Sequence, residues 1–138
     1  SQSVLKSPPE MTVTCGDVSI SVFSGDFTMT APGKGCWRKD TVITCASNPS
    51  DIFFVDPELS DIYEVSGHTL SLSFPVKPDE IMVSRTPYLV LDGEYEDVAI
   101  SENLTFPFED GTWWYMITAS WDKTNWSGEA SYQIILSK

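Results

Sequence analysis

Along this chain apolar and polar residues alternate with a period of two from one end to the other, and no long stretch carries an apolar stripe at helical spacing. That period belongs to strands with one face buried, because successive side chains of a strand point to opposite sides. It predicts strands at Met11–Cys15, Val18–Phe23, Phe27–Thr30, Thr41–Cys45, His68–Phe74, Ile81–Ser84, Tyr88–Leu91, Leu104–Phe108, Thr112–Trp121 and Ala130–Leu136. Turn signals such as Gly16-Asp17, Ser24-Gly25-Asp26, Pro32-Gly33, Ser66-Gly67, Asp92-Gly93 and Asp110-Gly111 separate many of them. Each supplies a glycine for positive φ or an aspartate that bonds its own backbone. Short strands at this spacing predict an all-β fold, an antiparallel immunoglobulin-like sandwich.

The strongest pattern lies near the C-terminus, where Trp113, Tyr115, Ile117, Ala119 and Trp121 share one face and Ala130, Tyr132, Ile134 and Leu136 share one face of the next strand. They are expected to pair as an antiparallel hairpin around the polar loop 122–128, which holds Asp122, Asn125 and Trp126. Residues 46–67 are the least regular and read as a crossover between two sheets, with a helical turn starting near Pro57. Residues 1–10, ending in Ser7-Pro8-Pro9-Glu10, read as a flexible tether with extended backbone, followed by one domain over 11–138.

Composition narrows the function classes. A chain of 138 residues with 41% apolar content has the length for one ordinary core, and no apolar run approaches the roughly 18 residues that span a bilayer. Twenty acidic against eight basic residues give a formal charge of −12, which repels phosphate backbones and argues against nucleic-acid binding. The charge is read first as solubility, with recruitment of a cation or a basic partner as the alternative. The polar start Ser1-Gln2-Ser3 is of the kind that follows a removed leader or lipid anchor, the one route to a membrane expected here.

Three cysteines allow one disulfide. Cys15 shares parity with Met11 and Val13 and is expected as a buried free thiol. Cys36 and Cys45 flank Trp37-Arg38-Lys39-Asp40 in a hairpin-like segment and are the expected disulfide, three free thiols being the alternative. One histidine and three scattered cysteines contain no short ligand pair for zinc.

The segment Pro8-Pro9-Glu10-Met11-Thr12-Val13-Thr14-Cys15-Gly16 with Trp37 resembles small extracytoplasmic lipoprotein domains of Gram-positive gut bacteria. The closing run from Asp110-Gly111-Thr112-Trp113-Trp114-Tyr115 through Ala119-Ser120-Trp121 to Gly128-Glu129-Ala130-Ser131-Tyr132 is similar both to these and to outer domains of antibiotic-sensing membrane regulators. The resemblance implies a domain held at the cell envelope, covers the two ends of the chain and assigns no site residue. The Asp110-Gly111 turn before Tyr115 also resembles, loosely, the tyrosine corner of immunoglobulin-like folds.

For catalysis the chain offers one histidine, His68, which reads as a strand-end residue at a sheet rim. It contains no Gly-x-Ser-x-Gly elbow, no His-Glu-x-x-His pair and no glycine-rich phosphate loop. The acidic group Asp92, Glu94, Glu96 and Asp97 matches no calcium loop and reads as a solvated turn. Sequons at Asn103-Leu104-Thr105 and Asn125-Trp126-Ser127 are explained by chance in a chain rich in serine and threonine.

The aromatics carry more. If Tyr115 faces inward, Trp114 faces outward, and with Trp126, Asp122 and Asn125 it would form a recognition surface; the bland alternative is that Trp114 is covered by the crossover or a neighbour. The expected function is therefore a non-catalytic extracytoplasmic binding or sensory module for a cell-wall, glycan or envelope-protein ligand, without cofactor or metal. The rivals are a structural spacer of a surface lipoprotein and a carbohydrate- or peptidoglycan-acting enzyme.

Overall fold

The computed structural model describes residues 9–22, 61–88, 94–123 and 127–138, together with the backbone of 26–30, 36–39 and 42–45. These residues form twelve strands and no helix: β1 (Met11–Cys15), β2 (Val18–Val22), β3 (Asp26–Thr30), β4 (Cys36–Lys39), β5 (Val42–Cys45), β6 (Ile62–Glu64), β7 (Thr69–Ser73), β8 (Glu80–Pro87), β9 (Glu96–Val98), β10 (Thr105–Pro107), β11 (Thr112–Asp122) and β12 (Ser127–Ser137). Period-two alternation thus reads out as an all-β, sandwich-like fold. The expected helical turn near Pro57, most of the expected strand at 88–91 and residues 1–8 of the expected tether lie outside the described residues.

One sheet runs β10-β7-β1-β2 and the other β3-β12-β11-β8-β9, with β6 also on β12 and β4-β5 a separate hairpin. All pairings are antiparallel except β6–β12, which is parallel with Leu136 opposite Tyr63. The second sheet is therefore mixed, a correction to the wholly antiparallel expectation. Its cause lies in the segment read as a crossover, which contributes a three-residue strand, β6. That strand is exposed throughout and has no alternation to read; backbone pairing with β12 makes it a strand.

The core fills the space between the two sheets. From the first come Met11, Val13, Cys15, Ile20, Val22, Leu70, Leu72 and Phe106; from the second come Val83, Tyr115, Ile117, Ala119, Trp121, Ala130, Tyr132, Ile134 and Leu136. Phe74 lies edge-on to both Trp121 and Tyr132, with centroids 5.8 and 5.7 Å away, so one ring joins the two long strands under the sandwich. Burying each large apolar side chain stabilises by roughly 1.5–3 kcal/mol, which is why the parity of β11 and β12 fixes their register.

Four contacts pin the ends of this core. Tyr132 Oη donates to the carbonyl of the buried Pro9 at 2.6 Å, so the chain is docked just before β1, and burial pushes the phenol well above its usual range. Trp121 Nε1 donates to the carbonyl of Val76 at 2.8 Å. The Asp122 amide donates to Asp79 Oδ2 at 2.7 Å and Lys123 Nζ reaches the same oxygen at 3.0 Å, an arrangement that holds the Asp79 carboxyl below the usual carboxylate range. At the turn between β1 and β2, Gly16 lies against Gly67, and a Cβ on Gly67 would stand 2.5 Å from the Gly16 nitrogen. Only a residue without a side chain fits there.

Candidate functional site

The two faces of β11 have opposite environments. Tyr115, Ile117, Ala119 and Trp121 are buried, while Trp114, Met116, Thr118 and Ser120 on the other face are half-buried. Trp114 does face outward, and it is partly covered. Its Nε1 donates to Gln133 Oε1 at 3.1 Å on β12, and its ring meets that of Tyr95 edge-on at 6.2 Å.

Register defines what surrounds it. Across the outer face Trp114 pairs with Thr86 and Ile135, Met116 with Ser84 and Gln133, and Thr118 with Met82 and Ser131; Ser84 in turn pairs with Asp97 on β9. Met82 is 70% exposed and Tyr95 46%, the largest such values among large apolar side chains of the described residues together with Ile62. The Thr86 hydroxyl, beside Trp114 in the register, is buried and has no hydrogen-bond partner among the described residues. Partial burial raises the Tyr95 phenol above its usual value, so it stays a neutral donor at physiological pH. Tyr95, just before β9, with Trp114 and Met116 on β11 and Met82 on β8 thus forms an apolar strip with polar Ser84 and Asp97 set into it.

Of the surface read from the sequence, Trp114 and Asp122 fall among the described residues. Asp122 lies on the same strand as Trp114 but eight residues along, roughly 26 Å at the rise of a strand, and Ser127, next in the chain after Trp126, pairs with Asp122. Trp114 and Asp122 are therefore separate places. Asn125 and Trp126 lie outside the described residues. The amide of Asp122 serves the Asp79 contact, and its side chain is exposed.

A second feature adjoins the strip, on the flank where the sheets end in β9 and β10. Arg85 on β8 is only 13% exposed, and its guanidinium lies 3.9 Å over the ring of Trp113. Its Nε donates to Glu96 Oε1 at 2.7 Å and its Nη2 to Glu109 Oε2 at 2.7 Å. Trp113 Nε1 donates to the Glu109 carbonyl at 3.1 Å, so one residue holds both arginine and tryptophan. Desolvation works against the charge, but the nearby Tyr115 hydroxyl and the two carboxylates outweigh it and hold the arginine more firmly protonated than usual. Burial raises the Tyr115 phenol, which makes no geometrically complete hydrogen bond although the guanidinium acts on it. Beside this cluster is a cavity of about 450 Å³ lined by Glu96, Asp97, Val98, Ala99, Pro107, Phe108 and Glu109 with Arg85.

The other expected residues are elsewhere. Cys15 is a buried free thiol in the core. Cys36 and Cys45 stand directly opposite one another in the β4–β5 register. His68 is exposed at the sheet rim, its Nε2 3.5 Å from Asp110 Oδ1 and 2.8 Å from Lys138 Nζ. Asn103 is exposed in the turn before β10. Of the acidic group, Asp92 lies outside the described residues, and Glu96 and Asp97 belong to β9 rather than to a solvated turn. No group of three or more histidine, cysteine or acidic side chains suited to a metal occurs among the described residues.

Comparison with protein-family models, with curated proteins and with solved structures returned no match for this chain.

Proposed function

We propose that this protein is a non-catalytic binding module of immunoglobulin-like architecture, acting outside the cytoplasm on an envelope protein. The carrying observation is the strip of Tyr95, Trp114, Met116 and Met82 on the outer face of the mixed sheet. Flexible, polarizable methionines beside an aromatic pair adapt to a protein surface, and aromatic residues are enriched where partners bind. Asp97 and Ser84 supply polar contacts that would orient such a partner.

Strand order supports the finer architecture. The order β1-β7-β10 in one sheet and β9-β8-β11-β12 in the other, with β8 and β11 reached by crossing between sheets, parallels the A-B-E and C′-C-F-G strands of an immunoglobulin-like sandwich. On that reading β2–β6 are additions between the A strand β1 and the B strand β7. The extracytoplasmic setting rests on the resemblance of both ends of the chain to envelope lipoprotein domains and on the facing positions of Cys36 and Cys45, which suit a crosslink in an oxidising compartment.

Tryptophan fluorescence of the wild-type chain and of a Tyr95→Ala, Met82→Ser variant, titrated with soluble envelope-protein ectodomains and with cell-wall glycan fragments, tests this reading. A saturable response to an ectodomain that the variant loses supports it. A response to glycans alone replaces the protein ligand by a saccharide, and no response to either leaves the spacer.

A further inference from the structure

We infer that the free edge of β9 is the point at which a basic, extended segment of the partner is captured by strand addition; this rests on the reading of the chain as a protein-binding module.

The two sheets end on the same flank in strands of equal length and opposite chemistry. Among the described residues β10 pairs only with β7, and its outer side is closed: Thr105 O accepts from the Ser101 amide at 3.0 Å, and Pro107 has no N–H to offer. β9 pairs only with β8 among the described residues, contains no proline, and leaves alternate N–H and C=O groups directed away from β8. The flank cavity is lined by Glu96, Asp97, Val98 and Ala99 in succession, so it extends along the length of β9, with Pro107, Phe108 and Glu109 on its far side. An added strand would find ladder partners there, with Val98 and Ala99 as apolar contacts.

Charge decides the occupant. Three carboxylates, Glu96, Asp97 and Glu109, line the cavity against the single Arg85, whose charge is already engaged by two of them. The edge is therefore negative, in a chain of formal charge −12. A second copy would bring the same acidic strand and be repelled, while a segment with lysine or arginine at alternate positions would meet opposite charge as its backbone pairs. Held by Glu96 and Glu109 and stacked on Trp113, Arg85 is a fixed wall of the groove.

The experiment follows backbone amide shifts of the full chain as it is titrated with the peptide Lys-Val-Lys-Val-Lys-Val. Two controls are its Glu-Val counterpart and a Lys-Val form N-methylated at alternate residues. The expected result is saturable shifts at Glu96–Val98 with the Lys-Val peptide, and binding weaker by about tenfold or more for each control and for Asp97→Lys. Absence of saturable shifts, shifts confined to other strands, or equal binding by the N-methylated peptide overturns the proposal. If the peptide fails while an ectodomain response is lost in the Tyr95→Ala, Met82→Ser variant, the binding reading stands and strand addition falls. If the peptide binds and that variant changes nothing, the edge stands and the apolar strip is not the ligand surface.

Discussion

The inner and outer faces of the β11–β12 pair obey the same alternation yet carry different information. Inside, every position is held by packing on the facing sheet, and Trp121 is 1% exposed with its one polar atom satisfied by Val76. Outside, β11 bears a half-buried tryptophan and methionine, and the adjoining β8 adds the exposed Met82 and a buried hydroxyl without a partner among the described residues. Apart from the Tyr115 hydroxyl, buried without a hydrogen-bond partner among the described residues, the inner face has its energetics completed within the chain. The outer face has contacts left to make, which is where a partner would act.

Substitutions on the two faces should therefore separate stability from binding. Trp121→Ala opens the core and removes the bond to Val76, and should cost about 3–5 kcal/mol in urea unfolding. Gly67→Ala forces a methyl group onto the Gly16 backbone and should cost roughly 1–3 kcal/mol, read as a lowered unfolding midpoint. Tyr132→Phe keeps the ring but leaves the Pro9 carbonyl without its donor, for about 1 kcal/mol. On the outer face, Met82→Ser and Tyr95→Ala should stay within about 0.5 kcal/mol of the wild type while abolishing the fluorescence response to a partner. A large stability loss in either outer-face variant would end the distinction.

The smallest effect is electrostatic, at the far end of the same hairpin. The Asp79 carboxyl titrates lower in the folded chain than its ordinary 3.8, chiefly because the Asp122 amide bonds its charged form and then because Lys123 does. Its stabilising contribution is thus complete above that value and disappears as the pH falls through the lower folded one. The stability gap between the wild type and Asp79→Asn, measured from neutral pH downward, should narrow only in that acid range. Because the group is exposed, the gap should be small throughout.

What was legible from residues follows the same division. Strands with one buried face, such as β1, β7, β11 and β12, announce themselves, because burial demands apolar residues at every second position. The parity of Cys15 and the outward turn of Trp114 came from that signal too. β6 and β9 did not, since Ile62-Tyr63-Glu64 and Glu96-Asp97-Val98 are too short to alternate and become strands only by pairing with neighbours distant in sequence. Arg85 was invisible for a related reason: its carboxylate partners are 11 and 24 residues away, and nothing local marks them. Met82 was hidden inside Ile81-Met82-Val83, where an unbroken apolar run conceals which residue faces out until the register with β11 is known. Of the joint surface of Trp114 with the 122–126 loop, Asp122 lies far along β11 from Trp114, because alternation gives side-chain direction but not distance along a strand.

β12 also sets the schedule on which this molecule can be completed. It is the shared neighbour of β11, β3 and β6, so Phe27 must wait for Ala130 and Tyr63 for Leu136 before either has a ladder partner there. During synthesis the edges of β3 and β6 would emerge long before the strand that covers them. Assembly of the mixed sheet is then a late, cooperative event rather than a progressive one, with slow closure of long-range pairs and a premium on protecting those early edges until the final hairpin arrives.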